Sequence, residues 1–155
     1  MANRQSLIAG RNTQPLSDLE VRRVVNTFLG LDVTLPVRYD PERRTAFRVS
    51  VTAQEGVECE VTFGKDIYPG RSVIDPNSAL SMEAAVAHEV THYNRWKDKT
   101  ELPSSDLEEI DEALTSLEAI LRFPRDLNEH AIRQLVNDAI QRLQIYAHRL
   151  EQTSQ

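Results

Sequence analysis

The sequence predicts an α+β chain: a small antiparallel-type sheet with one helix before it and a helical half after it. Three observations carry this. Between residues 46 and 63 the apolar residues recur with period two. On either side of that stretch the period is helical. The strands come together in a block instead of alternating with helices, which separates an α+β plan from an alternating α/β one.

Ser17 and Asp18 open the first helix as capping residues, and Gly30 closes the run LEVRRVVNTFLG. Leu19, Val21, Val24, Val25 and Phe28 form its apolar face. VTLPVRYDP follows as a short extended segment, with Pro36 at an edge or irregular position. In TAFRVSV, Phe47, Val49 and Val51 alternate with Arg48 and Ser50. In VECEVTF, Val57, Cys59, Val61 and Phe63 alternate with Glu58, Glu60 and Thr62. Ala53, Gln54, Glu55 and Gly56 form the turn of this hairpin. Arg48 opposite Glu58 or Glu60 makes a cross-strand pair. The loop GKDIYPG leads into RSVIDP, expected as a further strand. Helices then run from about Ser81 to Trp96, from about Ser105 to Phe123, and from about Asp126 to Glu151. Leu107, Ile110, Leu114, Leu117 and Leu121 read as the core stripe of the middle helix. Ile132, Leu135, Ala139, Leu143, Tyr146 and Leu150 read as that of the last. Residues 1–14 read as a flexible tail and residues 15–155 as a single domain.

A chain of 155 residues can bury a core without disulfide staples. Its net charge of −6 argues against a nucleic-acid partner. Cys59 has no second cysteine to pair with, so a reducing compartment and a cytoplasmic location are expected. On its strand Cys59 faces the core, as a buried and inert thiol. No run approaches the ~18 apolar residues of a membrane span, so no membrane partner is expected. A His-based metal site must draw on His88, His92, His130 and His148.

The helix from Ser81 carries AHEVTH, which contains the pattern H-E-x-x-H. Residues i and i+4 are neighbours on one helical face, so His88 and His92 can hold one zinc ion. Glu89 sits about 100° around the helix, given 3.6 residues per turn. That places it beside the metal, where it can polarise a water and shuttle its proton. Ala84, Ala85 and Ala87 suit a buried helix, and the motif follows a predicted strand after a short loop. A catalytic zinc wants a third protein ligand. The acidic helix that comes next offers Glu112, whose face continues through Thr115, Ser116 and Ala119. That small, polar strip lets a carboxylate approach a metal closely. Glu108 and Glu109 are the alternatives on that helix; the other acids read as solvated helix surface. His130 and His148 read as surface or packing residues. Tyr68 lies where it could line a substrate groove. Tyr93, Tyr146, His130 and His148 are the further candidates for stabilising an oxyanion. Trp96 reads as a core anchor.

HEVTH with a downstream helical glutamate resembles the gluzincin-type zincin metallopeptidases. The order helix, hairpin, strand, HExxH helix and acidic helix is similar to the compact ImmA/IrrE-like peptidases over roughly residues 17–123. In gluzincins the third ligand often sits in E-x-x-[small]-D. Glu112 and Thr115 match that pattern, while Ser116 takes the place of the Asp that orients a zinc-bound histidine. Thr91 stands where the ImmA/IrrE-like motif has glycine. A competing zincin type, with HExxHxxGxxH or HExxHxxGxxD, would make Asp98 the third ligand, with Arg95 where that motif has glycine. The resemblance implies a cytoplasmic zinc endopeptidase that cuts a specific protein or peptide, often a transcriptional repressor. In it Glu89 is catalytic, with His88, His92 and Glu112 on the metal. An extended substrate would lie along the strand near Ser72–Asp75. Two rivals stand beside this: a catalytically silent regulatory or interaction module on the same fold, and an α+β domain with a fortuitous motif.

Overall fold

The computed structural model describes residues 10–54, 56–70 and 80–154. The first helix, α1 (Asp18–Leu31), starts where the sequence places it. The Ser17 hydroxyl accepts from the Glu20 N–H and the Glu20 carboxylate accepts from the Ser17 N–H, a reciprocal capping box. Val24 and Phe28, one turn apart, are fully buried, Val21 and Val25 flank them, and Leu19 stays exposed. The helix continues one residue past Gly30, and the Asp32 N–H closes it on the Phe28 carbonyl at 2.9 Å.

Three strands follow: β1 (Val37–Tyr39), β2 (Ala46–Thr52) and β3 (Gly56–Phe63), in the order β1-β3-β2. β2 and β3 are the expected hairpin, with Phe47 opposite Val61 and Val49 opposite Cys59. Gly56, at φ 78°, supplies the left-handed residue that the turn requires. The sheet is mixed and not wholly antiparallel as expected, because β1 runs parallel to β3. Each of the two connections reverses the chain, so β3 fits between the earlier strands and runs with β1. Arg48 does stand opposite Glu60, but Arg38 takes the Glu60 carboxylate at 3.1 Å. The Arg48 guanidinium turns to the carbonyls of Ala46 and Arg44 instead. Only the base of the hairpin reaches the core: Val61 and Phe63 are fully buried, while Val51 and Val57 stand in solvent. Cys59 is half-buried against the core, and burial pushes its thiol up from the ordinary value.

The expected strand RSVIDP and Glu55 of the hairpin turn lie outside the described residues, as do residues 1–9 of the expected tail. Residues 10–12 are tied to the body. Arg11 bridges to Pro69 and donates from Nη1 to the Leu80 carbonyl at 2.6 Å. The Asn12 N–H reaches the Tyr68 carbonyl at 3.1 Å.

The helical half comprises α2 (Met82–Asp98), α3 (Glu108–Arg122) and α4 (Glu129–Thr153). Ser81 caps α2 by accepting from the Ala84 N–H, and Asn128 caps α4 in the same way from Ala131. α2 is buried on nearly all sides, with Ala84, Ala85, Val86, Ala87 and Val90 in the core. Its small residues let α1, the sheet and the other helices close around it. The leucine stripe of α3 is not core. Leu114, Leu117 and Leu121 are 40%, 38% and 79% exposed, and α3 buries Ala113, Thr115, Ser116 and Ala119 instead. Only the small side of α3 lets its backbone come close to α2, so the bulkier side faces away. In α4, Leu135 and Ala139 are buried as expected, but Leu143 and Leu150 are exposed. The inward row of α4 is Ala131, Leu135, Asp138 and Ile145. Among the described residues no helix is long and apolar enough to cross a membrane.

Candidate metal centre

A cavity of about 410 Å³ opens where α2, α3, α4 and the start of β2 meet. His88 and His92 face it from one side of α2, their rings 4.7 Å apart and nearly perpendicular. Glu112 faces them from α3. Its Oε2 lies 2.9 Å from Nε2 of His88 and 2.9 Å from Nε2 of His92. Among the described residues these three form a group whose metal-ligand atoms lie within 4.8 Å of one another.

Neighbouring residues hold the two helices in this register. Arg95, three residues after His92, is buried and makes an ion pair with Asp111, the residue before Glu112. Asp111 also accepts from the Leu102 N–H at 3.0 Å. Thr91, next to His92, is fully buried, and its hydroxyl is satisfied by the Ala87 carbonyl at 2.7 Å. Glu89 lies in the cavity wall, and its Oε2 accepts from the Phe47 N–H at 2.9 Å. That bond joins the helix to the outer edge of β2. Thr45, just before β2, is fixed by Asp66, which accepts from both its N–H and its hydroxyl. Gly64 lies against this corner because a side chain there would meet the Arg43 carbonyl at 1.8 Å.

Electrostatics binds the ligand group together. Burial works against a charge on His92, but the Glu112 carboxylate outweighs it and the His92 pKa is pushed up to about 9. Burial alone would raise the Glu112 carboxyl; the His92 charge and hydrogen bonds from both histidines hold it well below the carboxylate range. A proton on His92 thus occupies a position from which that side chain would ligate a cation.

The alternatives for the third ligand point elsewhere. Glu109 is 2% exposed and lies 3.9 Å from Arg142 and 3.7 Å from Arg149. Glu108 is exposed, and Asp98 is exposed and paired with Arg122 at 2.9 Å. Tyr68 does not line the cavity. The short turn Lys65–Ile67 carries it back toward α1, where its hydroxyl donates to the Glu20 carbonyl at 3.3 Å. Tyr93 bonds Thr34 and stacks with Trp96, so both are packing residues. Tyr146, His130 and His148 are not in the cavity wall either; the two histidines meet Gln134 and Gln152 along α4.

The charged residues of the cavity wall that were not singled out in the sequence include Arg11, Arg44, Asp66, Glu101, Asp138 and Arg142. Asp138 and Arg142 had a faint signal. They are oppositely charged at i and i+4, yet they continue the inward row of Leu135 and Ile145.

The chain matches no protein-family model, no curated protein and no solved structure. Geometry and donor chemistry therefore carry the functional reading. Two imidazole nitrogens and one carboxylate oxygen, with cavity on the open side, fit the donor set of a catalytic zinc site.

Proposed function

We propose that this chain is a zinc-dependent endopeptidase of the gluzincin kind, close in plan to the ImmA/IrrE-like peptidases, acting in the cytoplasm on a specific protein substrate. The observation that carries the reading is the convergence of His88, His92 and Glu112 on one point, with Glu89 beside them in the same cavity wall. When bound, zinc supplies a Lewis acid that polarises a peptide carbonyl and brings the pKa of water down to about 7. His88 and His92 would hold it from α2 and Glu112 from α3. Glu89 takes the proton of the attacking water and passes it to the departing amine. Its Oε2 is anchored by the Phe47 N–H, which leaves Oε1 for the proton. Arg142, with Nη1 3.7 Å from Glu112, places positive charge beside the carbonyl oxygen as that oxygen gains charge.

The substrate lies along β2. Among the described residues β2 pairs with no strand but β3, its outer edge meets Glu89 at the Phe47 N–H, and Ala46 and Phe47 line the cavity. The Phe47 N–H points out of that edge toward Glu89, so by the alternation of an antiparallel pair the Val49 N–H points out as well. An extended peptide added there passes directly in front of Glu89.

The test is E89Q, assayed on a peptide library for zinc-dependent cleavage. The expected result is zinc retained at the wild-type level and hydrolysis lowered by at least about 100-fold, the low end of a lost general base. Equal cleavage by both proteins removes Glu89 from the mechanism. Zinc without cleavage by wild type, against any library peptide or whole-protein substrate, points to a regulatory module instead.

A further inference from the structure

Behind His88 a hydrogen-bond chain leaves the site and enters α4. His88 Nδ1 lies 2.8 Å from Ser116 Oγ, and Ser116 donates to Asp138 Oδ2 at 2.6 Å. The same Asp138 oxygen accepts from Arg142 Nε at 2.8 Å. His88, Ser116 and Asp138 are all buried, so water does not compete for these bonds. A hydroxyl has one proton. Ser116 gives its proton to Asp138, a carboxylate that can only accept. Ser116 Oγ must therefore accept from His88, and the hydrogen sits on Nδ1. Nε2, the nitrogen 2.9 Å from Glu112, is then the one that would face a cation.

We propose that Asp138 is the positioning carboxylate of the metal centre, acting on His88 through Ser116. The inference rests on the metal reading above. Asp138 sets the tautomer and ring angle of His88 and strengthens Nε2 as a donor, as carboxylates behind metal-bound histidines do by direct contact. Here one hydroxyl stands between them. Ser116 reaches His88 but carries no charge, and α4 supplies it from a residue 22 positions further along. Arg142 balances that buried charge and fixes the orientation of the Asp138 carboxylate.

The experiment measures zinc affinity by competition with a chromophoric chelator, on wild type, S116A, D138N and the double variant. Visible absorption of the cobalt-loaded proteins is recorded alongside. Each single variant is expected to bind zinc about 10–100-fold more weakly, the usual effect of losing such a partner. The double variant is expected to be no weaker than the worse single, because the two links act in series. The cobalt bands shift alike in both singles. Wild-type affinity in S116A overturns the proposal, as do losses that multiply in the double variant. S116A leaves the Asp138–Arg142 pair in place, so it decides alone if D138N does not fold. A wild type that binds no zinc overturns the metal reading itself, and this inference with it.

Discussion

Glu112 bridges two imidazoles, and that one carboxylate ties the acid–base behaviour of the site to its metal chemistry. The His92 pKa is raised from 6.5 to about 9 in the metal-free protein. Its contribution to stability is complete below pH 6.5 and is lost as pH rises through about 9. Glu112 is shifted the other way, so its contribution is complete above pH 4.5 and is lost as pH falls toward its lowered value. The two windows overlap between pH 4.5 and 6.5. Denaturant unfolding of the zinc-free protein should find this pair's contribution largest there and falling from pH 7 to 9. E112Q should flatten that decline, since it removes the charge that raises His92. With zinc present the decline should reverse, because the metal takes the place of the proton and binds more tightly as pH rises.

At the scale of the element, α2 is the helix that everything else is built around, and its two ends differ in quality. The start has a serine cap in extended conformation. The end is closed by Lys99 at φ 58°, a left-handed conformation that a lysine adopts against its Cβ sterics. Lys99 is exposed and does not line the cavity, and its N–H already bonds the Trp96 carbonyl at 3.3 Å. K99G should therefore raise stability by about 1 kcal/mol. Zinc affinity should stay unchanged, and thermal unfolding with a chelator titration checks both. The helices also show how a sequence pattern misleads. Leu114, Leu117 and Leu121 have the spacing of a core stripe, and the real inward side of α3 is made of alanine, serine, threonine and buried acid. Spacing identifies a face. Which face turns inward depends on what the neighbouring helix needs, and α2 needs a close approach that leucine blocks.

In the molecule as a whole, what was legible in the sequence is what is local. The hairpin, the cap at Ser17, the start of α2 near Ser81, and the pairing of His88 with His92 all depend on residues a few positions apart. Glu112 was reachable because its own helix face is small and polar. The parallel pairing of β1 was not, since nothing within three residues specifies which side of β3 they join. Asp138 and Arg142 were not, because an i, i+4 pair of opposite charge normally reads as a solvated helix surface. Both become part of the site only when α4 folds across α3. The centre thus draws on three helices and one strand edge, and a single cation at His88, His92 and Glu112 would tie α2 to α3. Metal content of the purified protein tests this most directly, measured by plasma mass spectrometry on wild type, H92A and E112Q after zinc loading and desalting. The account predicts one zinc per wild-type chain and little in either variant; a zinc-free wild type, or wild-type zinc content in H92A, would contradict it.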